Sequence, residues 1–227
     1  MVLRKTSEWL DRLQVGYQIE TKNLSQRASL FELRLLDQRN PSGRNFSVTL
    51  KDVGFGVSQI LPIIVQCIFS NYETILIEQP ELHIHPRLQA DLADLFIYSM
   101  TERQNQLIIE THSEHLVLRI AKQLKRRSEI LLSFPIEESL ELLGSDIPVR
   151  KKDQAMAKRK KMINEKFTGE YTPDPIEFNA NRLQVNFVSR GESSGSIVHK
   201  IRFTEDGKFK DRWPGGFFPE RRREIVF

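Results

Sequence analysis

The spacing of apolar residues changes near position 52. Over residues 3–13, Leu3, Trp9, Leu10 and Leu13 fall on one side of a short amphipathic helix. A period of two follows, in Val15, Tyr17 and Ile19, then Phe31, Leu33 and Leu35, then Phe46, Val48 and Leu50, as expected of half-buried strands. The turn signal NPSG at 40–43 separates the last two runs, so residues 30–50 read as a β-hairpin. Residues 1–51 are expected to form an antiparallel β region.

From position 52 the pattern becomes that of alternating strands and helices. The segment GFGVSQILPIIVQCIF at 54–69 is a glycine-rich turn feeding an apolar helix, in which Pro62 is tolerable only in the first turn. A strand at 73–77 leads to a helix at 86–100, with Leu88, Leu92, Leu95 and Phe96 on one face. A second strand at 106–109 leads to a helix at 114–127. This order predicts a βαβ unit in a parallel sheet, and so an α/β fold for residues 52–127. Further on, the pattern predicts a strand at 130–134, a short helix at 137–143 and a basic helical stretch at 150–166, ended by Pro173 and Pro175. Residues 128–182 therefore read as a basic helical insertion. Residues 183–227 are expected to be β-rich, with Leu183, Val185 and Phe187 alternating, a strand over 197–203, a turn at 205–208, and the segment WPGGFFP pinning the terminus as a core plug.

A chain of 227 residues can bury a substantial core. Its one cysteine, Cys67, lies in an apolar run and reads as a small buried hydrophobe, which fits a reducing compartment. The N-terminus lacks the apolar core of a signal peptide, and no run approaches the ~18 apolar residues of a membrane span, so a cytoplasmic location is expected. The net charge is +4 with pI near 9.2. The excess concentrates in Lys151, Lys152, Lys158, Arg159, Lys160 and Lys161. That run is either a solvated helix face or a nucleic-acid contact whose affinity would fall steeply with salt.

The chemistry is densest in TILIEQPELHIHP at 74–86, where an apolar strand ends in carboxylate, amide and imidazole groups. The second strand ends likewise, in Glu110, Thr111, His112 and Ser113. Open α/β sheets place ligand sites at the carboxyl ends of their strands. Glu78 is positioned to bind a divalent cation, and magnesium needs only one or two carboxylates when water and phosphate supply the rest. His112 could donate to a terminal phosphate, while Gly54, Gly56 and Ser58 offer amides and a hydroxyl at a helix N-terminus. Two other readings are weaker. His83, His85, His112 and His115 lack zinc-site spacing, which leaves His85 as a helix cap or interface residue. Ser58 and Ser113 lack the nucleophile elbow of a hydrolase.

These segments, in this order, resemble the C-terminal half of an ABC-like, AAA-type ATPase head of the RecF and OLD group. The branch is the one whose Walker B motif reads like IEQPELHIHP and whose C-terminal domain ends in a WPxGFF motif. The resemblance covers roughly residues 28–125 and 183–220 and implies a P-loop NTPase-like mixed sheet with flanking helices. It implies that residues 54–59 are the signature loop, with Gly54, Gly56, Ser58 and Gln59 contacting nucleotide across a dimer. Glu78 becomes the Walker B acid holding Mg²⁺ through water, residues 85–89 the D-loop, and His112 the switch histidine. Two departures stand out. No Gly-x-x-x-x-Gly-Lys-[Ser/Thr] loop is present, which reads as a natural truncation, a split subunit or a fragment. Gln79 occupies the place where many such heads carry a catalytic glutamate; an amide can orient water but not take its proton, leaving Glu81 as a candidate base. The expected function is completion of a composite ATP site with a P-loop-bearing chain, in a homo- or heterodimer, coupled to DNA or to a defence effector. The alternative is a non-catalytic dimerisation or nucleic-acid-binding module.

Overall fold

The computed structural model describes residues 2–25, 30–39, 46–133, 171, 173, 178–191 and 195–217. The chain divides into two compact units, 1–117 and 118–227.

The first unit opens with α1 (Val2–Arg12). Trp9, Leu10 and Leu13 are buried as expected, but Leu3 is 36% exposed. Its place on the inner face is taken by Thr6, whose hydroxyl donates to the Val2 carbonyl at 3.1 Å. Val2 is exposed as well, so the buried stripe begins one turn later than the periodicity alone predicts. Strands β1 (Tyr17–Ser25), β2 (Leu30–Asp37) and β3 (Phe46–Thr49) form an antiparallel sheet in that order. The predicted hairpin is present as the β2–β3 pairing, with Leu35 opposite Val48, while its turn at 40–43 lies outside the described residues. Leu35 is fully buried, whereas Phe31 and Phe46 are exposed. Ser7 Oγ accepts the Ile19 N–H at 3.1 Å, tying α1 to β1.

Helix α2 (Phe55–Phe69) carries Pro62 in its interior rather than in its first turn. The ring is exposed, so water can solvate the carbonyl that loses its helical partner. Burial of Ile60, Leu61, Ile64, Cys67 and Ile68, about 1.5–3 kcal/mol for each large apolar side chain, outweighs a proline cost of about 3 kcal/mol.

Strand β4 (Thr74–Glu78) pairs in parallel with β5 (Gln106–Glu110), and α3 (Pro86–Glu102) connects them. This is the predicted βαβ unit. Leu92, Leu95 and Phe96 are buried on α3, which packs against α2 and β5. Asn105, 2% exposed, clamps the amino-terminal ends of both strands. Its side chain accepts from the Glu73 N–H at 3.0 Å and donates to the Ser70 carbonyl and Ser99 hydroxyl, each at 3.0 Å. One face of this strand pair is covered, with Ile75 and Ile77 buried. On the other face Leu76 is 73% and Ile108 54% exposed.

Helix α4 (Glu114–Ser133) runs past the predicted end at 127 and replaces the strand expected at 130–134. Ile130 is buried within the helix. The first helix breaker after Glu114 is Pro135, and good helix formers fill the interval, so nothing in the sequence stops the helix earlier.

In the second unit, β6 (Val185–Arg190) and β7 (Ser196–Ile201) form an antiparallel pair. Trp213, half-buried, packs edge-on against Phe187, Phe209 and Phe217 at ring distances of 5.6, 5.4 and 4.9 Å, while the rest of the expected plug, 218–219, lies outside the described residues. Gly207 sits at φ +78° in the predicted turn, where a Cβ would lie 2.1 Å from the Ala121 carbonyl oxygen, so only glycine fits. The short helix predicted at 137–143 and the basic run containing Lys151, Lys152, Lys158, Arg159, Lys160 and Lys161 lie outside the described residues.

Candidate functional site

The ladder of β4 and β5 places Glu78 directly opposite Glu110 at the carboxyl ends of the two strands. Both are exposed, and the Glu78 carboxylate has no ion-pair or hydrogen-bond partner among the described residues. Like charges directly opposite across strands repel. A carboxylate left uncompensated at a strand end suits a hydrated divalent cation.

Gln79 continues the ladder by donating its N–H to the Glu110 carbonyl at 2.8 Å. It then takes a left-handed conformation, φ +43°, as does His83 at φ +58°. Residues of this type rarely adopt such values without support from their surroundings. The reversal supplies two successive turns, Leu82 N–H to the Gln79 carbonyl at 3.2 Å and Ile84 N–H to the Glu81 carbonyl at 3.4 Å. Together they carry Glu81 back toward the end of β5.

Glu81 is 8% exposed. One of its carboxylate oxygens accepts the His112 N–H at 2.5 Å and the other accepts the Thr111 hydroxyl at 2.7 Å. A buried carboxylate is costly unless hydrogen-bonded, and both partners lie just before α4, whose N-terminus favours negative charge. Thr111 Oγ1 also accepts the Ser113 N–H at 3.0 Å, and Ser113 Oγ accepts the Leu116 N–H at 3.3 Å, capping α4. Ser113 in turn donates to Gln89 Oε1 at 2.8 Å, while Gln89 Nε2 donates to the Ile84 carbonyl at 3.2 Å. The two strand-end loops are thus knitted by Glu81 and Gln89.

The segment at 54–59 approaches from α2. Gly54 is its N-cap residue, with no side-chain cap and nothing within 4 Å of the place a Cβ would occupy. Gly56 is the opposite case: a Cβ there would lie 2.6 Å from the His83 carbonyl oxygen and 3.0 Å from Ile84 Cγ2. Phe55 stacks edge-on against His83 at 5.3 Å. The Ser58 hydroxyl donates back to the Phe55 carbonyl at 2.8 Å, and the Gln59 side-chain oxygen is buried without a hydrogen-bond partner among the described residues. Between this turn and the start of α3 lies an open cleft of about 370 Å³, lined by Gly54, Gly56, His83, His85 and Arg87 among others. His85 Nδ1 accepts the Arg87 N–H at 3.2 Å and caps α3. Leu13, Val15, Val57, Ile84 and Leu88 complete the lining, so the cleft is largely apolar and meets the N-terminal ends of two helices at one side.

Of the residues singled out from sequence, the fold brings Glu81 to the His112 backbone and Gly56 to His83. Glu78 takes part in neither contact, and the His112 side chain is exposed. Among the described residues, no three His, Cys, Asp or Glu side chains gather closely enough to hold a metal ion. Cys67 is fully buried; burial pushes its thiol up to about 12, a hydrogen bond with Ser99 opposing the shift. Among the described residues, no helix is long and apolar enough to cross a membrane. The sequence placed Gln89 only within the D-loop segment 85–89, with no partner named for it, and gave Thr111 no role. An amide in the first turn of the helix after a dense polar cluster was the one available signal.

The AAA ATPase domain family model matches residues 4–117, half of the chain. No curated protein matches. Among solved structures, one match is an Smc head bound to the C-winged-helix domain of ScpA, at 14% identity and a TM-score of 0.42. It covers 52% of this chain and 36% of the other, so the chain spans about a third of that head's length. Another comes from work on ATP-driven dimerization and DNA-stimulated activation of SMC ATPases, at 10% identity and a TM-score of 0.47, covering 91% of this chain and 85% of the other.

Proposed function

As the chain belongs to the AAA ATPase domain family, we propose that it supplies one side of a composite ATP site, the other being a chain or segment that carries a P-loop. The observation that carries this reading is the convergence of two strand ends, in parallel register, on Glu78 and the His112 loop, with the Gly54–Gly56 turn packed against the same connection.

In this reading Glu78, an exposed carboxylate with no ion-pair partner among the described residues, would hold Mg²⁺ through water. The magnesium nucleotide, when bound, supplies the phosphoryl group and the charge that neutralises it. Gln79 orients water with its side-chain amide and cannot accept its proton, so hydrolysis is slow, by about 10²–10⁴-fold relative to a site with a well-placed base. The exposed His112 imidazole donates to a terminal phosphate oxygen. Gly56 and Ser58, at the start of α2, present the helix N-terminus to nucleotide across a dimer interface. Membership of the RecF and OLD-like branch, and coupling to DNA through the basic run at 150–166 or to a defence effector, belong to the same proposal.

Turnover in a mixture of this chain with a candidate P-loop-bearing partner chain tests the reading. ATP hydrolysis that needs both chains and is lost in His112→Ala is the expected result. The absence of both association and turnover would contradict it. Gln79 favours one second reading, a module that binds and dimerises without hydrolysis, for which association without turnover is the mark.

A further inference from the structure

Glu81 is placed by its sequence neighbourhood as a candidate base, yet its surroundings are those of a structural acceptor. The residue is 8% exposed, and each carboxylate oxygen already receives a short hydrogen bond, from the His112 N–H at 2.5 Å and from the Thr111 hydroxyl at 2.7 Å. A general base must reach the proton it removes, directly or through one water, and burial with both oxygens engaged leaves it poorly placed to do so. Its reach is instead toward the backbone of the residue whose side chain faces solvent, His112.

We propose that Glu81 is a positioning residue: it sets the conformation of the 111–113 loop and thereby the direction in which His112 presents its imidazole. The proposal rests on the reading of His112 as the group that meets a terminal phosphate. Three observations on separate elements support it. Glu81 holds the loop from the β4 side through Thr111 and the His112 amide. Gln89 holds it from the α3 side, accepting from Ser113 at 2.8 Å while donating to the Ile84 carbonyl at 3.2 Å. The turn that carries Glu81 is itself pressed by Gly56, whose Cα leaves no space for a Cβ beside the His83 carbonyl. A ligand that displaces the Gly56 turn therefore moves the residue that holds His112. A polar network that is fully satisfied in this way specifies one conformation of the loop it joins.

The test has two arms. In the chain alone, NMR-detected exchange of the His112 amide rises about ten- to hundredfold in Glu81→Ala, the scale expected when a hydrogen bond to a charged group is lost. Glu81→Gln retains an acceptor oxygen for that amide and restores most of the protection. Unchanged exchange in Glu81→Ala overturns the proposal. In the assembly with the P-loop-bearing chain, Glu81→Ala lowers kcat at least tenfold with KM little changed. Its effect is not multiplicative with that of His112→Ala, and Glu81→Gln recovers activity. Multiplicative effects, or a Glu81→Gln as inactive as Glu81→Ala, show Glu81 acting independently as a base and overturn the proposal. An inactive wild-type assembly removes the composite-site reading, while the exchange arm still decides the role of Glu81.

Discussion

The Glu81 carboxylate and the His112 backbone amide lie 2.5 Å apart although 31 positions separate them in the chain, and this bond joins the connection after β4 to the connection after β5. Gln89 makes a second junction between the same two connections, so its removal has a predictable cost. Gln89→Ala leaves the Ser113 hydroxyl, on a residue 4% exposed, without its acceptor. It should destabilise the chain by about 1–2 kcal/mol in urea unfolding. Gln89→Glu, which keeps the acceptor but loses the donor to the Ile84 carbonyl, should fall between.

The two glycines of the α2 turn should respond differently to a methyl group. At Gly56 a Cβ meets the His83 carbonyl oxygen at 2.6 Å, which is backbone and cannot rotate away, so Gly56→Ala should cost about 1–3 kcal/mol. At Gly54 a Cβ meets nothing within 4 Å among the described residues, so Gly54→Ala should shift the unfolding midpoint far less than Gly56→Ala. Equal effects at the two positions would remove the close approach on which the description of the turn depends.

Cys67 should be inert in the folded chain. Its thiol is raised from an ordinary value of 9.0 to about 12 by burial, so at pH 8 almost no thiolate is present and a thiol-specific reagent should react only after denaturation. Burial favours the neutral form, so the thiol's contribution to stability is whole below pH 9 and is lost as pH rises toward 12. Rapid labelling at pH 8 without denaturant would contradict this.

In the second unit Arg202 holds Asp211 through paired contacts at 2.8 and 2.9 Å, and the Asp211 carboxyl is lowered to about 2. A depressed carboxylate contributes stability above its unfolded value near 3.8, which is lost as pH falls through about 2. NMR titration of the Asp211 side-chain carbon should find its midpoint near 2, and Arg202→Ala should return it toward 3.8.

Much of the framework was legible in the residues. The strand–helix–strand order from Thr74 to Glu110 follows from an apolar run, an amphipathic stripe and a second run, each with its own period. Polar clusters at both strand ends mark Glu78 and His112, and the structure places both at the ends of β4 and β5. What periodicity could not resolve depended on contacts between distant segments. Leu3 carries the right spacing for burial, but among the described residues the first turn of α1 is left exposed at Val2 and Leu3. Pro62 argued for a helix start, yet apolar burial on α2 overrode it. Ile130 reads equally well as strand or helix, and only the continuity of α4 decides. The place of Glu81 was visible, but its partners were not. A carboxylate in a turn looks the same in sequence whether it faces solvent or reaches back to an amide, and only the left-handed turns at Gln79 and His83 make the second arrangement.

The central claim is that this chain supplies one side of a nucleotide site whose phosphate cradle lies elsewhere. Calorimetric titration of ATP·Mg²⁺ into the purified chain, without any other protein, addresses it most directly. Binding no tighter than about 1 mM, worth roughly 4 kcal/mol, is the predicted result, because Glu78 and the α2 N-terminus alone offer a carboxylate and a few amides. Micromolar affinity from this chain alone would contradict the account.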